Sequence, residues 1–349
     1  MLFFFCTIIL YLSCTSATRN QCVDYDGAVV SAVSDKVMVH GEGPFWDSEN
    51  NILYFVDIAQ HRVYKWVENK LDYVQLDEDV SFVIPVAKKK HTFAIGLGRQ
   101  LASLQWYTDN INGSIPVKVQ HLTKLATVDN DKPGNRWNDA KADPKGQLWA
   151  GTMGFEDAAG NIPTGQGTLY KLNDIKSNQF PKCTQNVKPV LPRVSVSNGM
   201  AWSKDGSKMY YIDSPTKQID LFDYDSKTDS INNRRPFYNF STDFIPGVPD
   251  GMTIDENDNI WIANYGGAQV LHVSGVSGKL LGKLPIKAKY VSSVTFGGNN
   301  LDKLYVTTLS RGVSLEQFKE YPMSGKVLEV SGLGVKGLPN RWVQNKCFQ

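Results

Sequence analysis

Residues 197–213 read SNGMAWSKDGSKMYYID. A short apolar run, Met200-Ala201-Trp202, is followed by the polar turn Lys204-Asp205-Gly206. A second run, MYYID at 209–213, then brings aromatic and β-branched residues. Short runs of this kind bounded by Gly, Asp and Asn signal strand, turn, strand. The second run recurs on both sides of this segment. It appears as LYFVD at 53–57, TFAIG at 92–96, LWAGT at 148–152, IWIAN at 260–264 and LYVTT at 304–308. Polar turns such as Asp47-Ser48-Glu49-Asn50, Pro144-Lys145-Gly146 and Glu256-Asn257-Asp258 precede most copies. Long amphipathic helical patterns are hard to find.

Successive copies begin 39 to 61 residues apart. Six copies at a period near 50, with little helix, predict a radial all-β architecture, a six-bladed β-propeller around a central channel. A two-sheet sandwich, the alternative, predicts no such even spacing. Each blade buries its faces against its neighbours, so one blade alone is not stable. Ring closure places the first and last strands in one blade. That expectation brings Cys22 toward Cys347 as a disulfide and leaves Cys183 as a free thiol.

Composition agrees with a globular chain. Of its 349 residues 42% are hydrophobic and 21% charged, which excludes a wholly disordered protein. Thirty-seven basic residues against 35 acidic ones give a net charge of +2, without the basic excess of a nucleic-acid binder. The longest basic run, Lys88-Lys89-Lys90, reads as a solvated hairpin turn. Residues 1–17, MLFFFCTIILYLSCTSA, carry no charge, and their apolar run of 11 is too short to span a bilayer. They read as a signal peptide cut after Ala17, leaving 18–349 as one secreted propeller domain, expected to be monomeric and free of the membrane. The sequons Asn112-Gly113-Ser114 and Asn239-Phe240-Ser241 are then candidate glycosylation sites.

The chemistry lies ten or eleven residues upstream of the repeated strands, at Glu42, Asn138, Asn198 and Asp250. Equivalent positions in different blades are related by rotation, so these four oxygen-bearing side chains should converge on the axis. The sixth copy has Ser293 there, and the second has nothing evidently similar. Two carboxylates and two amides suit a hard divalent cation, Ca²⁺ first, with Mg²⁺, Mn²⁺ or Zn²⁺ as alternatives. Other signals carry less. Gly332-Leu333-Gly334-Val335-Lys336-Gly337 matches a dinucleotide fingerprint without room for its βαβ unit. Asp255-Glu256-Asn257-Asp258-Asn259 begins like an EF-hand loop but lacks its glycine and closing glutamate. His40, near Glu42, reads as a structural neighbour of the site.

These residues make the chain similar to the family of regucalcin (senescence marker protein), gluconolactonase and luciferin-regenerating enzyme. The stretches that carry the resemblance are GEGPFWDSENNILYFVDI, NRWNDAKADPKGQLWAGTM, SNGMAWSKDGSKMYYIDS, PDGMTIDENDNIWIAN, FGGNNLDKLYVTT and SGLGVKG, in that order. The resemblance implies a six-bladed propeller with one divalent cation in its central channel. It implies Glu42, Asn198 and Asp250 as metal ligands, and Arg136, Asn138 and Glu156 as substrate-binding residues. The expected activity is metal-dependent lactone hydrolysis by a cation-activated water, with Asp250 as general base. Two alternatives stand beside it. One is a luciferin-regenerating-enzyme-like reaction on an aromatic heterocycle, with Trp137 at the channel mouth favouring flat ligands. The other is a non-catalytic calcium-binding propeller.

Overall fold

The computed structural model describes residues 23, 25–107, 121–157, 159–173 and 186–348. The signal segment 1–17, Cys22, Asn112 and Cys183 lie outside the described residues. Each repeat signal folds as antiparallel strands. After β1 (Val29–Ala32) come β2 (Gly41–Asp47), β3 (Ile52–Asp57), β4 (Arg62–Val67) and β5 (Lys70–Gln75). Next are β6 (Val80–Pro85), β7 (Thr92–Leu97), β8 (Gln100–Gln105) and β9 (His121–Thr127). Then come β10 (Arg136–Ala142), β11 (Leu148–Met153), β12 (Gly167–Leu172), β13 (Val187–Val194), β14 (Ser197–Trp202), β15 (Lys208–Asp213), β16 (Gln218–Asp225) and β17 (Ser230–Asn239). The chain continues with β18 (Val248–Ile254), β19 (Ile260–Tyr265), β20 (Gln269–Val273), β21 (Leu280–Pro285), β22 (Tyr290–Gly297), β23 (Lys303–Leu309) and β24 (Leu328–Ser331). The repeated runs are β3, β7, β11, β15, β19 and β23, as the sequence predicts.

The sheets β2–β5, β6–β9, β10–β13 and β14–β17 each hold four strands in sequential order. An eight-stranded sheet contains β18–β21 together with β22–β24 and β1, and its two halves meet through one residue pair, Tyr265 with Tyr290. The architecture is all-β and propeller-like. Closure is real: β1 pairs with β24 from Val29–Ser331 to Ala32–Leu328. The first two strands of each sheet are the most enclosed, and all six residues of β6, β7, β11 and β14 are buried. Outer strands such as β13 alternate with solvent.

The first strands share one irregularity. Register slips between Glu42 and Phe45, Val80 and Val83, Trp137 and Ala140, Ser197 and Met200, Pro249 and Met252, and Val291 and Ser293. A bulge inserts an unpaired residue and re-aims its side chain. The turns at the other strand ends are held by acids. Asp143 accepts from the Lys145 and Gln147 amides and from Trp149 Nε1 at 3.0 Å. Asp255 accepts from the Asn257 and Asn259 amides and from Trp261 Nε1 at 3.1 Å. The EF-hand-like segment is therefore a turn. The glycine-rich segment 332–337 follows β24, with Gly332 and Gly334 in the left-handed region (φ 81° and 72°).

The C-terminal tail runs across the turn end of several sheets. The Leu338 amide bonds to Ile254 O, the Val343 amide to Pro85 O and the Gln344 amide to Gly146 O. Asn340 Nδ2 donates to Thr295 Oγ1 at 2.8 Å, and Asn345 Nδ2 to Asn173 O at 3.1 Å. Cys347 is buried at the end of this path and is disulfide-bonded. No helix among the described residues is long and apolar enough to cross a membrane.

Candidate functional site

The common bulge decides where the site residues point. Asn138, Asn198 and Asp250 lie within the slips of β10, β14 and β18, and Glu42 borders that of β2. Ser81 holds this place in β6 and Ser292 in β22, which completes the two copies the sequence left blank or assigned to Ser293. Both serines are tied up: Ser81 Oγ donates to Trp137 O and Ser292 Oγ to Gly41 O, each at 2.6 Å. Glycine follows Asn198 and Asp250 for a steric reason. A Cβ on Gly199 would meet Asp250 O and Met252 N at 2.7 Å, and one on Gly251 would meet Ser293 Oγ at 2.0 Å. Adjacent first strands approach this closely only without a side chain.

Glu42, Asn198 and Asp250 are brought together. Asn198 and Asp250 are buried, at 4% and 7% exposure. The Asn198 side chain lies in hydrogen-bonding reach of the Asp250 carboxyl, and its Nδ2 donates to Ser214 Oγ at 3.0 Å. Burial raises the Asp250 carboxyl well above the usual range, and the negative charges of Glu42 and Asp139 add to the shift. Burial, then repulsion by Asp139, pushes Glu42 up to about 8. A positive charge placed among enclosed acids of this kind favours their ionised form. Among the described residues no group of three or more His, Cys, Asp or Glu side chains forms a metal-holding cluster. The candidate set is two carboxylates and an amide, with oxygen donors of the kind hard cations take.

Arg136 lies beside this set. Its Nη1 donates to Asn138 Oδ1 at 2.9 Å and to Trp137 O at 2.8 Å, and Asn138 Nδ2 donates to Ser197 O at 2.9 Å. Its charge lowers the carboxyls of both Glu42 and Asp250. Above it a cavity of 430 Å³ is lined by His40, Arg136, Phe155, Glu156 and Arg311. Glu156, in the loop after β11, is held by Arg311 in a two-pronged pair at 3.2 and 3.3 Å. His40 is driven down to about 3 by burial and by the charges of Arg136 and Arg311, so it stays neutral. This agrees with its reading as a structural neighbour.

One expectation fails. Trp137 is not at the mouth. It is 1% exposed and packs edge-on against Phe82 and Tyr170, because the bulge turns Asn138 inward and leaves Trp137 between sheets. Phe155, 64% exposed, is the aromatic residue at the mouth. Sequence reasoning also missed Arg311, Asp139 and Lys141. Arg311 follows the start of LYVTT by seven residues, and Glu156 follows the start of LWAGT by eight. Opposite charges at matching repeat positions were the available signal. Asp139 and Lys141 face each other beneath the site, Lys141 Nζ donates to Met252 O at 2.8 Å, and burial lowers its ammonium to about 8.

Known sequences and structures converge on these elements. The sequence pattern described as "SMP-30/Gluconolactonase/LRE-like region" matches residues 40–310, which include every one of the site residues except Arg311. The chain belongs to this SMP-30/gluconolactonase/LRE-like family. Regucalcin of Homo sapiens is 36% identical over 300 residues, covering 85% of this chain and 92% of the relative. A solved luciferin-regenerating enzyme is 37% identical with a TM-score of 0.81, covering 91% of this chain and all of that one. A calcium-binding regucalcin from Agrobacterium tumefaciens shares the fold at 22% identity and a TM-score of 0.75, covering 90% of this chain and 96% of that one. Within the SMP-30/gluconolactonase/LRE-like family, this chain's mouth is marked by the Glu156–Arg311 pair and the exposed Phe155.

Proposed function

We propose that the protein is a secreted, metal-dependent lactone hydrolase built as a six-bladed propeller. Counting the eight-stranded sheet as two four-stranded halves gives the six blades. The observation that carries the reading is the convergence of Glu42, Asn198 and Asp250 from three separate sheets. These residues would hold one divalent cation, Ca²⁺ first and Zn²⁺, Mn²⁺ or Mg²⁺ otherwise. When bound, the cation supplies Lewis-acid polarisation of a carbonyl and a lowered pKa for water. Asp250 takes the proton from the attacking water, steadied by Asn198. Arg136, pinned by Asn138 and the Trp137 carbonyl, places positive charge where the oxyanion develops. Glu156 spends two of its roughly four lone-pair positions on Arg311 and keeps the others for substrate hydroxyls.

A second reading keeps the site and changes the substrate to an aromatic heterocycle. The similarity to luciferin-regenerating enzyme and the exposed Phe155 favour it. Secretion belongs to the same proposal, with 1–17 removed and glycans on Asn112 and Asn239. Asn239 ends β17 and its Oδ1 accepts from the Ser241 amide at 2.8 Å, well away from the site residues in the chain.

The test compares hydrolysis of glucono-δ-lactone and an aryl lactone by the wild type and by Asp250→Asn, after chelation and with each cation restored. Chelation should abolish turnover, and Asp250→Asn should reduce it by about a thousandfold or more at equal Ca²⁺. Undiminished turnover in a folded Asp250→Asn protein overturns the mechanism. Stoichiometric Ca²⁺ binding with no turnover of any lactone assigns the protein to a binding role.

A further inference from the structure

A second cavity lies away from the mouth. It measures 750 Å³, against 430 Å³ at the mouth, and opens at the opposite end of the first strands. β2 makes the separation plain. Glu42 is near one end and Asp47, which lines this cavity, is at the other. Five residues at about 3.3 Å each put them roughly 16 Å apart.

Three segments distant in sequence build the walls: the β2–β3 turn, the β6–β7 hairpin and the C-terminal tail at Trp342 and Gln344. Four aromatic residues, Tyr54, Phe93, Trp106 and Trp342, supply flat apolar surface. Tyr54 meets Phe93 edge-on at 4.9 Å, and Phe93 lies 6.3 Å from Trp106. The charge around them is predominantly positive. Lys88, Lys89, Lys90 and His91 form the exposed rim, and Lys65, 6% exposed, holds its ammonium 5.8 Å from the Trp106 ring. Asp47 is committed to its own turn, accepting from the Glu49 and Asn50 amides and from Asn50 Nδ2, so Glu49 is the remaining acid of the lining. Trp106 is 3% exposed, and its indole N–H has no acceptor among the described residues.

Sites of this volume with aromatic walls and a few convergent polar groups are characteristic of small-molecule binding. We infer that this cavity is a second binding site, separate from the channel, for a planar aromatic anion. The rings stack on the aromatic walls, and the anionic group lies against the Lys88–Lys90 rim. The basic run that reads in the sequence as a solvated turn thereby gains a ligand-facing role.

Titration with 8-anilinonaphthalene-1-sulfonate, followed by its fluorescence, tests the inference. One saturable site with a dissociation constant below about 100 µM is expected. Lys88→Gln/Lys89→Gln/Lys90→Gln should weaken it about tenfold or more while leaving lactone hydrolysis unchanged, and the uncharged N-phenyl-1-naphthylamine should bind about tenfold more weakly than the sulfonate. Asp250→Asn should leave binding intact. The inference is overturned by absence of saturable binding, by equal binding in the triple lysine variant, or by displacement of the probe with glucono-δ-lactone.

Discussion

Glu42 and Asp250 show how one residue's environment becomes a measurable property of the protein. In the unfolded chain both carboxyls ionise near their ordinary values, whereas burial and neighbouring negative charge raise both in the fold, Glu42 to about 8. Between the ordinary value of 4.5 and about 8 the folded chain therefore binds more protons than the unfolded chain. The stability this confers is complete at low pH and is lost as pH rises through that window. Chelated protein should melt about 5 °C or more lower at pH 8 than at pH 5, and saturating Ca²⁺ should remove most of the difference. A calorimeter should also register proton release when Ca²⁺ binds at pH 6.5. A flat melting profile in chelator would show that these carboxyls are not forced together. Their identities were legible in the sequence because they recur at one repeat position. The partner of Glu156 was not, because Arg311 reaches it from the turn after β23, 155 residues further along the chain.

At the scale of the element, the bulged first strand is the working unit. Its outer residues pair regularly, and its slip turns one or two side chains out of the ladder. The glycine after the site residue lets the neighbouring first strand come close. Gly199→Ala should therefore cost about 1–3 kcal/mol in denaturant unfolding, since its Cβ meets backbone rather than a movable side chain. It should also weaken Ca²⁺ binding about tenfold or more by moving Asn198 from Asp250. A neutral substitution at Gly199 would mean that the sheets are not packed at this distance. The sequence revealed the strands through their apolar runs and turn residues. It concealed the bulge, because an extra residue in a strand leaves no mark on composition, and it thereby misplaced Trp137 by one step of side-chain direction.

Closure at the scale of the whole molecule takes two forms. β1 completes the last sheet, as the repeat predicted. The tail after β24 then travels past Ile254, Pro85 and Gly146, so Cys347 ends against β12 rather than beside β1. Asn345 bonds to Asn173 O, and the Asn173 amide bonds to Asn186 O. Val23, next to Cys22 in the chain, instead bridges Gly282 in β21. Cysteines pair only when their Cα atoms come within about 7 Å, and both candidate partners of Cys347, Cys22 and Cys183, lie outside the described residues. A non-reducing peptide map should join the Cys22 and Cys347 peptides, as ring closure expects, and Cys347→Ser should cost about 2–4 kcal/mol. A Cys183–Cys347 peptide would overturn that pairing.

The sequence by itself determined the all-β repeat, its strands and turns, and the oxygen-bearing residues at one recurring position. These are local matters of hydrophobic period, turn chemistry and spacing. Only the tertiary structure decided which side chains face the candidate site, which charges meet across its mouth, and that a basic hairpin overhangs an aromatic cavity. Each of those depends on a bulge of one or two residues, or on contacts between segments more than a hundred residues apart, and no local pattern encodes either.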